Sequence, residues 1–261
     1  MIQNFNYHTH TSRCGHAVGT DEEYVLAAIK AGYKVLGFSD HAPYRDYPAP
    51  KAHMNFDQLE DYIQSVECLK EKYRDQIEIH LGLETEYYPY VLEEKKELRS
   101  KVEYLLLGQH FSEPTGSVCN YFKRNSDEEI EEYIRMVCEG MRSGLYSYLC
   151  HPDVFMNYQP AFTDVCRKAA EEIAKCAVET DTPVEVNARG TIHGKHHFES
   201  GDQYFYPNHE FWSVMAKYPI KCILGIDAHD PKDIIRIEDI EHAYSELEDL
   251  NLTFIKELKF R

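Results

Sequence analysis

Val35-Leu36-Gly37-Phe38-Ser39-Asp40-His41 is a short apolar run that ends in a carboxylate and an imidazole. Such a run, nearly continuous and bounded, reads as a strand buried on both faces of a parallel sheet. Upstream, Thr20-Asp21-Glu22-Glu23 reads as a capping box opening a helix through Ala31, with Gly32 beyond its end. The same alternation continues in both directions. Strand patterns are expected at about 2–7, 35–39, 77–83, 104–108, 147–150, 184–187 and 222–226. Helical patterns lie between them. One starts at Asn55 or Asp57 and runs to about 73. A second capping box, Ser126-Asp127-Glu128-Glu129, leads to about 142. Thr163 opens a helix to about 179, and Pro231 sits in the first turn of a last one to about 247. Seven strand–helix units in order predict a parallel α/β architecture, either a closed barrel or an open doubly wound sheet.

Composition narrows the function. The 261 residues carry 28 Lys+Arg against 45 Asp+Glu, a net charge of −17, with 43% apolar and 13% aromatic content. This is a folded chain with a substantial core. The acidity argues against nucleic acid or an anionic membrane as partner, since both need a basic surface. It leaves small anionic substrates open, because a bound metal can reverse the local field. No run approaches a membrane span, and no secretory leader is visible at the first residues. Cys14, Cys68, Cys119, Cys138, Cys150, Cys166, Cys176 and Cys222 form no Cys-x-x-Cys pair. They are expected as free thiols of a reducing cytoplasm. Dinucleotide, P-loop and nucleophile-elbow motifs are absent from the sequence.

The strand ends carry the chemistry. The first ends in His8-Thr9-His10, the second in Asp40-His41, and the third in Glu84 within Gly82-Leu83-Glu84-Thr85-Glu86. The fourth ends in Gln109-His110, the fifth in His151-Pro152-Asp153, the sixth in Glu185-Val186-Asn187-Ala188-Arg189, and the seventh in Asp227-Ala228-His229. In a parallel barrel these ends form one mouth. His8 and His10 share a face because strand side chains alternate, and so do Asp227 and His229. Mixed imidazole and carboxylate donors suit zinc, iron or manganese rather than magnesium or calcium. Their number exceeds one tetrahedral shell, so two or three divalent ions are implied. A lone histidine at a strand end is ordinarily a hydrogen-bonded core or surface residue, and His80 is expected to be one. Seven consecutive strands that each deliver a polar or ionisable group are not explained that way.

These motifs, with His16 between the first strand and first helix, resemble the polymerase and histidinol phosphatase (PHP) family of metal-dependent phosphoesterases. The resemblance runs from His8 to His229. It implies a single domain over 1–261, folded as a distorted TIM-like (β/α)7 barrel with the metal site at the C-terminal mouth of the strands. It also implies a trinuclear centre. One metal would take His8, His10, Glu84 and Asp227. A second would take His110 and His151, with Glu84 bridging. A third would take His16, His41 and His229. The length and phrases such as Ser39-Asp40-His41-Ala42-Pro43 resemble the stand-alone histidinol-phosphatases. The implied activity is phosphomonoester hydrolysis, L-histidinol phosphate to L-histidinol and phosphate, as a step of histidine biosynthesis. The nucleophile would be hydroxide held between two ions, where the pKa of water falls from about 15.7 to about 7.

Other roles follow from position. Asp40 is expected to orient a ligand histidine, and Asp40 or Asp153 to assist protonation of the leaving group. Arg189, then Arg13, are expected to bind phosphate. His193 is expected to line the pocket, with His196 and His197 on an exposed loop. Cys14 is expected as a buried or loop thiol. The partners implied are a small phosphate ester and the phosphate product. Alternatives are a PHP phosphoesterase acting on another small ester or a nucleotide, an amidohydrolase-type hydrolase, and an inactive metal-binding barrel. The amidohydrolase type usually has a lysine closing the fourth strand, where His110 stands. An inactive barrel would lack ligands, and none is missing.

Overall fold

The computed structural model describes residues 3–47 and 52–261; Ile2, first residue of the expected opening strand, lies outside them. Eight strands form one curled sheet. They are β1 (Phe5–Asn6), β2 (Val35–Phe38), β3 (Glu78–Thr85), β4 (Tyr104–Leu107), β5 (Tyr148–Leu149), β6 (Val184–Asn187), β9 (Lys221–Gly225) and β10 (Thr253–Phe254). Neighbours pair in that order and every pair is parallel. The first seven are the strands expected from the apolar runs. β7 (His196–Phe198) and β8 (Gly201–Gln203) form a separate antiparallel hairpin.

Among the described residues, eight α-helices surround the sheet: α1 (Asp21–Ala31), α2 (Leu59–Tyr73), α3 (Leu92–Arg99), α4 (Asp127–Arg142), α5 (Asp164–Thr180), α6 (His209–Met215), α7 (Pro231–Ile235) and α8 (Ile237–Glu246). Both expected capping boxes form, with Thr20 against Glu23 and Ser126 against Glu129. The expected last helix is broken in two at Arg236, which leaves helical geometry (φ −77°, ψ 75°). Its guanidinium bridges the break, meeting Asp233 at 3.0 Å and Asp239 at 2.9 Å.

The barrel closes only at the mouth. Just beyond β1 and β9, Thr9 pairs with Ala228. There His10 N–H donates to the Ala228 carbonyl at 2.9 Å, and Ala228 N–H donates to the His8 carbonyl at 3.2 Å. Lower down, side-chain amides replace the ladder. Gln3 exchanges two hydrogen bonds with the backbone of Leu224 (2.8 and 3.2 Å), and Asn6 accepts from Ile226 N–H at 3.0 Å. At the floor, β10 occupies the edge of β9, with Thr253 beside Lys221. The sheet is therefore tightest where the strand ends converge.

Tyr104 fills the barrel interior, and its hydroxyl donates to the carbonyls of Tyr7 (2.9 Å) and Phe38 (2.8 Å). Gly82 makes room for it, since a Cβ there would lie 2.4 Å from the Tyr104 ring. Among the described residues, no helix is long and apolar enough to cross a membrane.

Candidate active site

The converging strands bring His8, His10, His41, Glu84, His110, His151, Asp227 and His229 into one buried group, each at most 7% exposed. Glu84 is its centre. Oε1 lies 3.4 Å from His8 Nε2, 3.2 Å from His110 Nε2 and 3.0 Å from His151 Nε2. Oε2 lies 3.5 Å from His10 Nε2 and 3.1 Å from His41 Nδ1. Asp227 Oδ1 is 3.1 Å from His10 Nε2 and 3.6 Å from His8 Nε2. His16 reaches in from the rim, with Nε2 2.8 Å from His229 Nε2. A cavity of about 340 Å³ opens over the group.

The donor set fits divalent transition metals. His8 Nε2, His10 Nε2, His41 Nδ1 and Glu84 Oε2 are buried without a hydrogen-bond partner among the described residues. His110 and His151 face each other nitrogen to nitrogen at 3.3 Å, as His16 and His229 do at 2.8 Å. Two imidazole lone pairs so placed need a cation or a proton between them. At a Zn–N distance of about 2.0–2.1 Å, tetrahedral neighbours lie roughly 3.3 Å apart.

Four of the outward ring nitrogens are held from behind, whereas those of His10 and His151 have no hydrogen-bond partner among the described residues. His8 Nδ1 meets Glu185 at 2.8 Å, and His110 Nδ1 meets Glu86 at 2.9 Å. His10 Nδ1 lies 3.5 Å from Asp40. His229 Nδ1 donates to the Asp227 carbonyl (2.9 Å), and His16 Nδ1 to that of Cys14 (3.2 Å). Such partners fix tautomer and ring orientation. Glu185 and Glu86 are functional groups that motif reading missed. The available signal was a carboxylate inside a buried strand, and a second one two residues after Glu84.

Asp40 stands behind His10, is fully buried, and accepts from the Thr11 hydroxyl and from His41 N–H at 2.8 Å. It orients, and has no face on the cavity from which to protonate a leaving group. Asp153 is likewise withdrawn, accepting from Asn208 N–H (2.8 Å) and Trp212 Nε1 (3.0 Å). Burial pushes its carboxyl up to about 7. Cys14 is buried, its thiol 3.1 Å from the Thr11 carbonyl and pushed up to about 12 by burial.

Arg189 and His193 both line the cavity, and Arg189 Nη1 lies 3.3 Å from the Asp227 carbonyl. Arg13 does not reach it. Its guanidinium is spent on Asp21 (2.9 Å) and Asp61 (2.7 Å), and it lines a separate groove. Arg189→Ala is expected to lower kcat/KM for a phosphate ester roughly 10- to 100-fold, the worth of one charge-assisted hydrogen bond. Arg13→Ala is expected to change it less than about threefold. Steady-state kinetics decide, and equal losses would return Arg13 to the site. The His-rich loop is also only half exposed. His197 is open to solvent beside Asp202, but His196 stacks on Phe205 at 3.8 Å.

Behind Glu86, Lys95 is buried with Nζ 3.7 Å from the centre of the Tyr44 ring. Burial pushes the amine down from 10.5 to about 8, against the pull of Glu86 and Glu94. Between those values the unfolded chain holds the proton and the folded chain does not, so stability rises with pH across that window. Below about 8 the full handicap applies, about 3 kcal/mol, of which the Tyr44 face returns up to about 2 kcal/mol. Lys95→Met is therefore expected to stabilise the fold by about 1–3 kcal/mol at neutral pH and by less near pH 10. Denaturant unfolding at both pH values tests this. A gain that fails to shrink would refute the charge argument.

The family model of the PHP domain matches residues 6–189. The chain belongs to the PHP domain family. The matched segment holds seven of the nine donors, and Asp227 and His229 follow it on the last parallel strand of the mouth. A "Probable histidinol-phosphatase" of Deinococcus radiodurans is 27% identical over 237 residues, 87% of this chain and 86% of that protein. A protein of the same name from Schizosaccharomyces pombe is 25% identical over 256 residues, 87% of this chain and 81% of its own. The PHP chain also superposes on the histidinol phosphate phosphatase of Lactococcus lactis, with a TM-score of 0.74 at 17% identity, covering 98% and 99% of the two chains. That crystal structure is described as a complex with zinc, L-histidinol and phosphate. The likeness establishes the fold.

Proposed function

We propose that this PHP protein is a metal-dependent histidinol-phosphatase, hydrolysing L-histidinol phosphate to L-histidinol and phosphate. The observation that carries the reading is the convergence of seven imidazoles around Glu84 and Asp227 beneath a cavity walled by Arg189 and His193. Support comes from relatives that match most of the chain and carry that name, and from the zinc, histidinol and phosphate in the Lactococcus enzyme.

The proposed ligands are His8, His10, Glu84 and Asp227 for one ion, and Glu84, His110 and His151 for a second. A third would take His16, His41 and His229. Zinc, iron and manganese suit this donor set. When bound, such ions supply Lewis-acid chemistry, acidifying water and compensating phosphoryl charge. The protein's own part is positional. Glu84 and Asp227 feel burial pushing them up, yet the surrounding imidazoles hold both carboxyls well below their usual range, so both stay anionic. Glu185 and Glu86 keep the His8 and His110 rings turned inward, and Asp40 lies 3.5 Å behind His10. Arg189 and His193 receive the phosphoryl oxygens, and Phe111, Phe122 and Tyr206 wall the cavity with apolar surface. One functional unit over 1–261 is part of the proposal, since donors come from both ends of the chain. Eight free cysteines, seven of them buried, support a reducing, cytoplasmic setting.

The test is hydrolysis by metal-loaded protein of histidinol phosphate beside a panel of phosphomonoesters and a phosphodiester. Histidinol phosphate is expected to lead. Diesterase activity without monoesterase activity overturns the reading, and one metal or fewer per chain after reconstitution overturns the trinuclear arrangement.

A further inference from the structure

One side of the cavity wall carries a residue that the ligand pattern does not use. His53 lines the cavity and is only 5% exposed. Its Nε2 sits 3.1 and 3.2 Å from the two oxygens of Glu86. The same carboxylate accepts from the Tyr44 hydroxyl at 2.6 Å and faces His110 Nδ1 at 2.9 Å. Burial alone would raise Glu86, but His53 and His110 hold its carboxyl well below the usual range.

An anionic acceptor at Nε2 fixes the hydrogen of a neutral ring there and leaves Nδ1 as a lone-pair acceptor. His53 Nδ1 is buried and has no hydrogen-bond partner among the described residues. An acceptor left so beside a cavity has lost its hydrogen bonds to water, which a ligand donor would replace. The position of His53 gives that donor its place. Arg189 leans on the β6–β9 side of the mouth through Asp227 and Asp233. His53 leans on the β3–β4 side through Glu86, with Phe111 6.2 Å away, ring centre to ring centre. A phosphate ester whose phosphoryl group meets Arg189 has room for its alcohol portion on the His53 side, since both residues line the one cavity.

We infer that His53 determines specificity by accepting, at Nδ1, a hydrogen bond from a nitrogen-borne donor on the leaving group. Resting on the phosphomonoesterase reading above, this selects phosphate esters of alcohols that carry an ammonium or imidazole N–H. The anionic Glu86 behind the ring favours a cationic donor further.

The experiment uses metal-loaded full-length protein, with histidinol phosphate, aminoethyl phosphate, imidazolylethyl phosphate and ethyl phosphate as substrates. His53→Gln places an amide where Nε2 was and keeps the Glu86 contact, whereas His53→Asn returns a carbonyl near the Nδ1 position. His53→Gln is expected to raise KM for histidinol phosphate about tenfold with a smaller change in kcat. Its preference for histidinol phosphate over ethyl phosphate should fall by the same factor, and His53→Asn should recover part of it. Calorimetric binding of L-histidinol should weaken in parallel. The aminoethyl and imidazolylethyl esters tell which nitrogen is read, by which of the two loses preference in His53→Gln. Equal losses on all four substrates, or an undiminished preference, would overturn the role of His53. If the wild type shows no preference over ethyl phosphate, the histidinol-phosphatase reading itself falls, and the inference with it.

Discussion

Glu84→Gln is expected to cut turnover by orders of magnitude and to leave the fold in place. Partners one shell behind a metal ligand already cost about 10–100-fold when removed. Glu84 is in reach of five imidazoles, with Oε1 facing His8, His110 and His151 and Oε2 facing His10 and His41. A glutamine matches its volume but offers one oxygen, no charge, and an NH2 that points hydrogens at imidazole lone pairs. The shared ligand between two proposed ions is then lost. The fold should survive because His8 and His110 keep Glu185 and Glu86 as partners. The readouts are kcat, metal stoichiometry and thermal unfolding, and near-wild-type turnover would refute the bridging role. Gly108 gives an independent route to the same phenotype. A Cβ at that position would lie 2.0 Å from Glu84 Oε1. The carboxylate is boxed in by imidazoles and has nowhere to retreat, so Gly108→Ala should mimic Glu84→Gln without replacing a ligand residue.

The strand plan and the donors at its ends were legible because both obey short-range rules. A run such as Tyr104-Leu105-Leu106-Leu107 is apolar throughout because the strand is buried on both faces. A donor at its end must face the mouth, since register fixes its side. What escaped depends on contacts distant in sequence. β10 is two residues long and exists by pairing with β9. The charged run of α3 shows little apolar periodicity and gains its place from only two buried residues, Lys95 and Leu98. Closure by Gln3 and Asn6 relies on partners more than 200 positions away. Arg13 misled because proximity to His10 and His16 in sequence does not say which way a loop side chain turns. Asp21 and Asp61 decide that. His53 carried no motif, and its place follows from a loop folding back onto Glu86.

Loading the metal-free protein with divalent ions near neutral pH is expected to release protons from its side chains. Burial opposes the charged form of His8, His10, His16, His41, His110 and His229, but the neighbours differ. Glu185 and the other nearby anions outweigh burial at His8 and raise it well above 6.5. Asp227 and Asp40 raise His10, and Glu84 with Glu86 pushes His110 up to about 10. These three rings therefore hold a proton more strongly than a free imidazole does when no metal is bound. At His41 and His229, burial and the neighbouring His10 act together and push both well below 6.5, and His16 is lowered in the same way. Those three hold protons weakly and contribute least to the release. Calorimetric titration in buffers of different ionisation enthalpy counts the protons, and a count near zero would refute the charge assignment. A stability signature accompanies it. A histidine raised in the folded state stabilises fully below the unfolded value and loses that contribution as pH climbs through the folded one. For His110 the loss runs from about 6.5 to about 10. In the loaded protein a cation takes the place of the proton, so the loss disappears. The gap in Tm between loaded and metal-free protein should therefore widen as pH rises across that window. A gap that stays constant or narrows would mean that protons and metal ions do not compete for the same nitrogens.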